Sequence, residues 1–273
     1  MRVAGLCDTA AMTIVLIAIA LYMLSAGLLA RRLAQAGAQV PPALWAAPAL
    51  AAVLHATAHA LAWREAGGAN LHFFSALSLV GLGMAGLTLL VGIRGRMAAL
   101  AVIVFPIAAV TLGLYAWIGR QDPQPLDWRL QLHAWCALLA YATLAIASVL
   151  AILLWVQERA LRRRRLHGWL RALPPLTELE SLVFRTITVG FGLLTATLLT
   201  GALFVEDLMA QHLAHKTVFS VLSWLAFGAL LLGRRRYGWR GAKAVRWTLA
   251  AMALLVLAYF GSNLVLELIL GRR

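Results

Sequence analysis

The chain has 273 residues, 63% of them hydrophobic and only 12% charged, with a mean hydropathy of +0.85. A soluble domain carries about twice that charge, so a soluble globular protein is excluded. The net charge of +14 would suit nucleic acid by sign alone, but its distribution along the chain assigns it to membrane orientation.

Windows of about 20 apolar residues predict eight spans, at 11–30, 44–63, 72–93, 97–117, 132–155, 183–204, 214–233 and 247–269. The expected fold is all-α: a polytopic membrane helical bundle of about eight transmembrane helices, forming one integral membrane domain over 1–273. The first apolar run is expected to be a span and not a removed signal, because no small-residue cleavage pattern precedes Arg31-Arg32. Cys7 has no apolar run ahead of it, which argues against a lipoprotein anchor. No glycine-rich phosphate loop and no long internal repeat interrupts the pattern.

Span two reads LHATAHALAW, with Pro48 one turn from its start and His55 and His59 four residues apart. That spacing puts both imidazoles on one helix face, about 12 and 6 Å from Trp63 at the outer end. His72 opens span three, and Pro106 lies inside span four as an expected packing kink. The connection RQDPQPLDWR at 120–129 is short and turn-rich, and Trp128 suits an interfacial anchor. Span five opens LQLHAWCALLAYA, which puts His133 in its first turn and Tyr141 deeper, where a satisfied core tyrosine is expected. Its arginine block is expected to continue the helix beyond the membrane. Pro174-Pro175 then ends any helix, and Thr177 is expected to cap span six with Glu180 as third residue. His215-Lys216 opens span seven, and Asn263 and Glu267 share a face of span eight.

Seventeen of the 24 basic residues fall on one side when the connection between spans one and two is placed in the cytoplasm. Seven of the ten acids fall on the other. The positive-inside rule then puts both termini outside. The basic excess orients helices and meets anionic lipid; a nucleic-acid partner is not expected.

Six of the seven histidines (55, 59, 72, 133, 212 and 215) then lie at or just inside the outer face, and only His167 lies opposite. An ionisable group inside a membrane is a functional candidate by default. Imidazoles brought to similar depth from several helices suit a bis-histidine haem site with apolar and aromatic walls. The same residues also suit plain hydrogen bonding to carbonyls, or proton relay in a transporter. A zinc site would call for a thiolate or carboxylate as well, and no such ligand set is closely spaced. There is no CxxCH, so haem is not covalently attached to this chain. Cys7 and Cys136 both map near the outer face and are expected to be small buried hydrophobes rather than a disulfide.

Four strings together resemble the cytochrome c assembly family of inner-membrane proteins, the CcsA/HemX-type haem handlers. LHAWCALLAYATLAIASVLAIL at 132–153 is similar to the family's histidine-headed helix, and HKTVFSVLSW at 215–224 to the tail of its tryptophan-rich loop and the helix after it. GWRGAKAVRWTLAAMALLVLAYFGSNLVLELIL at 238–270 resembles the C-terminal loop and last helix, and LHATAHALAW at 54–63 the second helix of shorter members. The likeness is strongest over 130–270. Three departures stand out: the tryptophan-rich outer loop is reduced to FVEDLMAQHLA, the last span has no histidine, and Arg234-Arg235-Arg236 replaces a histidine that many members carry.

The resemblance implies a haem-handling protein of the short, loop-poor branch that serves cytochrome c assembly. It implies haem b as cofactor, with His55 and His133 as axial iron ligands and His215 and Lys216 beside the propionates. Haem, the lipid bilayer and other cytochrome c maturation proteins are the expected partners. Without the tryptophan-rich loop, catalysis of thioether formation is not expected, so the chain is not read as an enzyme. The alternatives are a haem-free membrane scaffold or a transporter-like protein using the same histidines.

Overall fold

The computed structural model describes residues 2–35, 40–66, 68–69, 71–92, 97–118, 127–164, 170, 173–204 and 211–261, leaving aside the side chains of 2–10, 65–66, 211–215 and 260–261. These residues form α1 (Arg2–Ala34), a 3-10 turn (Pro42–Trp45), α2 (Ala46–Ala66), α3 (Phe73–Gly92), α4 (Ala98–Ile118), α5 (Trp128–Arg162), α6 (Leu176–Phe204), α7 (Gln211–Tyr237) and α8 (Gly241–Val256). A π turn (Leu257–Gly261) follows α8, and there is no strand among the described residues. All eight helices contain a stretch long and apolar enough to cross a membrane, as the hydropathy pattern predicts. Backbone groups in hydrocarbon must be satisfied within the segment, and helices do this.

The chain divides into two compact units. Unit 1 holds α1 to α4 and unit 2 holds α5 to α8. In unit 1, α1 packs on α2 and α4, and α3 packs on α2 and α4. Lipid offers no hydrophobic gain for helix association, so contact depends on close van der Waals packing through small residues. Ala18, Ala51, Ala101 and Ala108 are accordingly buried, one or more from each of α1, α2 and α4. Pro48 sits third in α2, in the first turn, where a backbone N–H has no intrahelical partner to lose. α4 stays helical through Pro106.

In unit 2, α5 packs on α6 and α8, and α7 on α6 and α8. The buried face of α5 runs Ala140, Leu144, Ala147, Ala151 and Leu154, the alternating four-and-three spacing of one helix stripe. Thr186, Thr188, Thr195, Thr197 and Thr200 of α6 each donate to the carbonyl four residues back. That internal bond lets a hydroxyl enter an apolar layer without a stranded donor. α5 does run on through Glu158 and Arg159 to Arg162.

The start of α6 departs from expectation. Leu176 is already helical, and Pro175 supplies the carbonyl that accepts from Glu178 N at 2.9 Å and Leu179 N at 3.0 Å. Pro175 thus occupies the capping position by backbone alone, and Thr177 falls inside the first turn. Glu180 is free of any capping task and pairs instead with Arg234 of α7 and, at 3.8 Å, with Arg240.

Candidate functional site: two histidine centres

His133 lies in the second turn of α5, a helix capped by Asp127, whose carboxylate accepts from Trp128 N at 2.8 Å. Its ring is half-buried against α6. An ideal Cβ at Gly201 would lie 3.1 Å from His133 Cε1, so the glycine is what lets the imidazole lie flat on that helix. His133 Nδ1 and Thr200 Oγ1 are 3.2 Å apart. The one hydroxyl hydrogen of Thr200 is committed to backbone carbonyls, at 2.8 Å to Ala196 and 3.0 Å to Thr197. With that hydrogen on a carbonyl, Thr200 accepts from the imidazole at Nδ1, an arrangement that leaves the Nε2 lone pair available. An oxygen that accepts from the other ring nitrogen in this way is the usual support of a metal-binding histidine.

The second centre lies in unit 1. His55 and His59 are buried, with their rings stacked at 5.5 Å between centroids. Both Nε2 atoms converge on Ser78 Oγ of α3, at 2.9 and 3.0 Å. Ser78 has one hydrogen to give, so at least one of the two imidazoles must donate to its oxygen. Tyr115 of α4 stacks on His59 at 4.4 Å, and the Tyr22 ring of α1 meets His55 edge-on at 6.1 Å. All four helices of the unit therefore contribute to this centre. Nδ1 of His55, Nδ1 of His59 and the Tyr22 hydroxyl are buried without a hydrogen-bond partner. Each such atom costs about 1–3 kcal/mol, and three of them fall in this one cluster.

His55 and His133, expected to ligate together, belong to different units. They also differ in readiness. His133 presents a free lone pair at Nε2, whereas His55 has Nε2 engaged with Ser78 and keeps only Nδ1 unpartnered. Histidine-ligated haem fits His133 as it stands; at His55 it would require the Ser78 bond to break. The side chains of His215 and His212 lie outside the described residues, as do Asn263, Glu267 and the side chain of Cys7. Lys216 is placed at the start of α7 with its ammonium 5.5 Å from the centre of the Tyr259 ring. Tyr141 donates to the Leu255 carbonyl at 2.6 Å, the satisfied core tyrosine the sequence suggests. Cys136 is a free thiol. Among the described residues no three of His, Cys, Asp and Glu gather to hold a metal ion. Ser78 and Thr200, the partners that define both centres, were not singled out from sequence; each is one hydroxyl among several on its helix, and no sequence signal sets it apart.

The family model described as cytochrome C assembly protein matches residues 42–270. The inner membrane protein YpjD of Escherichia coli K12 is 33% identical over 205 residues, covering 74% of this chain and 77% of that protein. An uncharacterised 28.8 kDa protein of Azospirillum brasilense is 36% identical over 171 residues, covering 59% of this chain and 63% of its own. The cytochrome c biogenesis protein CcsA of Prochlorococcus marinus is 34% identical over 89 residues, which is 32% of this chain and 28% of that protein. No solved structure matches significantly. The match over 42–270 spans most of the chain and takes in His55, His59 and His133, and on that ground the chain belongs to the cytochrome c assembly protein family.

Proposed function

We propose that this multi-span membrane protein handles haem for cytochrome c assembly, with His133 as an iron ligand near the outer face. Family membership and the likeness to CcsA proteins support a role in cytochrome c biogenesis. The observation that carries the haem reading is the bond at His133, where Thr200 accepts at Nδ1 and leaves Nε2 available. Bound haem b would supply the iron for His133 to ligate. The chain's own residues do the rest: Thr200 orients the ring, Gly201 leaves room for it, and Lys216 brings a cation suited to a propionate. His215 is proposed beside Lys216, and His55 as a ligand only once it leaves Ser78. The protein is read as a haem handler and not as the catalyst of thioether formation.

A second reading is favoured by one observation. His55 and His59 already share Ser78 through hydrogen bonds at Nε2, which suits a haem-free membrane factor using these residues structurally or to pass protons. Absorption spectra of the detergent-purified protein, oxidised and reduced, decide between them. The haem reading expects a Soret band with sharp reduced α and β bands, lost in His133→Ala. A wild type that stays colourless after growth with excess haem precursor would overturn it and leave the second reading standing.

A further inference from the structure

Four helix ends meet at one end of unit 2. The ion pair of Glu180 with Arg234 joins the start of α6 to the end of α7. An ideal Cβ at Gly241 would lie 3.0 Å from Glu158 Oε2, so the start of α8 rests on the end of α5. This brings together the basic residues of 159–164, 234–236 and 240–246, ten in all, against three carboxylates, Glu158, Glu178 and Glu180. Two of the three are already engaged: Glu158 with Arg162 at 2.7 Å, and Glu180 with Arg234 and Arg240. Among the described residues no carboxylate pairs with Arg235, Arg236 or Lys243. Among the described residues, the surplus of positive charge at this end has no counter-charge.

The corner between α7 and α8 is built to hold its shape. Gly238 and Gly241 adopt positive φ of 63° and 51°, which L side chains rarely tolerate, and turn the chain tightly. Trp239 N donates to the Gly233 carbonyl at 3.2 Å, and its own carbonyl accepts from Arg234 at 3.3 Å. The indole lies 5.4 Å from the Trp247 ring, with Lys243 Nζ 3.7 Å from its centre. Arg234 is thus spent on structure, while Lys243 and Arg240, the latter 72% exposed, are presented outward. The same end also exposes apolar and aromatic surface: Tyr237 and Trp247 flank the Trp239 ring at 6.5 and 5.4 Å and are exposed, as are Leu232 of α7 and Trp155 of α5.

We propose that this corner is a binding site for an acidic phospholipid, its phosphate held by Arg240 and Lys243 and an acyl chain lying along the exposed apolar faces of α7 and α8. A soluble polyanion would satisfy the cations but leave the adjoining aromatic row uncovered; a zwitterionic lipid would cover the row but leave the charge unmet. Only a lipid with net negative charge answers both. The indole platform sets the height of the Lys243 ammonium at the interface, where tryptophan rings settle. This proposal is independent of the haem reading, since it involves neither histidine centre.

The test is native mass spectrometry of the full-length protein in mild detergent with added dioleoylphosphatidylglycerol, dioleoylphosphatidylcholine or inorganic phosphate. Wild type retains the phosphatidylglycerol and not the phosphatidylcholine. Arg240→Gln/Lys243→Gln binds it roughly thirty-fold more weakly, as expected from about 1 kcal/mol for each basic residue near an anionic surface. Arg31→Gln/Arg32→Gln, which removes two cations from the end of α1, retains it as wild type does. Lys243→Arg, which keeps a cation on the indole, also retains it and keeps the proposal testable if the double variant fails to fold. Equal losses in the two double variants would reduce the effect to general charge and overturn the proposal. So would retention by Arg240→Gln/Lys243→Gln, or displacement of the lipid by inorganic phosphate.

Discussion

Thr200 and Ser78 show how a hydroxyl decides what an imidazole can do. In Thr200→Val the isosteric methyl keeps the packing but removes the acceptor for His133 Nδ1–H. Loss of such an outer partner weakens ligation about tenfold or more. Haem titration of Thr200→Val should therefore show at least that loss, with Thr200→Ser close to wild type. Ser78→Ala acts on the other centre: it leaves both Nε2 atoms buried with their shared partner gone. The unfolding midpoint in detergent should fall, by the equivalent of about 1–3 kcal/mol for the stranded groups, while the Soret band of a His133 site is unchanged. The histidines themselves were legible in the sequence, because imidazole is conspicuous in an apolar run. Their partners were not: which hydroxyl meets which ring depends on the rotation of α3 and α6 about their axes, and hydropathy does not specify it.

At the scale of helices, the α5–α6 contact positions the His133 site. Gly201 carries that contact at the Trp128 end of α5, with His133 Cε1 3.1 Å from the place a methyl would occupy. In Gly201→Ala the ring must shift by a few tenths of an ångström, and the 3.2 Å bond to Thr200 lengthens. Haem occupancy should drop while the helix itself gains from alanine, whose helix propensity exceeds that of glycine by about 1 kcal/mol. Lower occupancy with an equal or higher unfolding midpoint is the signature; a parallel fall in both would mean general misfolding. The eight helices followed from apolar length, and the extension of α5 from its arginine block. The start of α6 did not follow. Thr177 and Glu180 have capping-box spacing, but Pro174-Pro175 already fixes the backbone for entry at Leu176, and a cross-helix cation claims Glu180.

For the whole chain, the orientation expected from charge is tested by accessibility. α5 has 35 residues and so runs about 52 Å at 1.5 Å per residue, well beyond a hydrocarbon core of about 30 Å. Its two ends must emerge on opposite sides. Trp128, 62% exposed, marks the end that carries His133, and Arg240, which meets Glu180 across the helix ends, marks the other. In a background with Cys7 and Cys136 replaced by serine, a membrane-impermeant maleimide applied to spheroplasts should label Trp128→Cys and not Arg240→Cys. Permeabilised cells should label both. Because four spans precede α5, the same result puts the start of α1 on the Trp128 side and Arg31-Arg32 on the Arg240 side. Each end then has the charge the positive-inside rule demands. The reverse labelling would put His133 on the cytoplasmic side with the arginine-rich corner outside, and both the charge-based topology and an outward-facing haem site would have to be abandoned together.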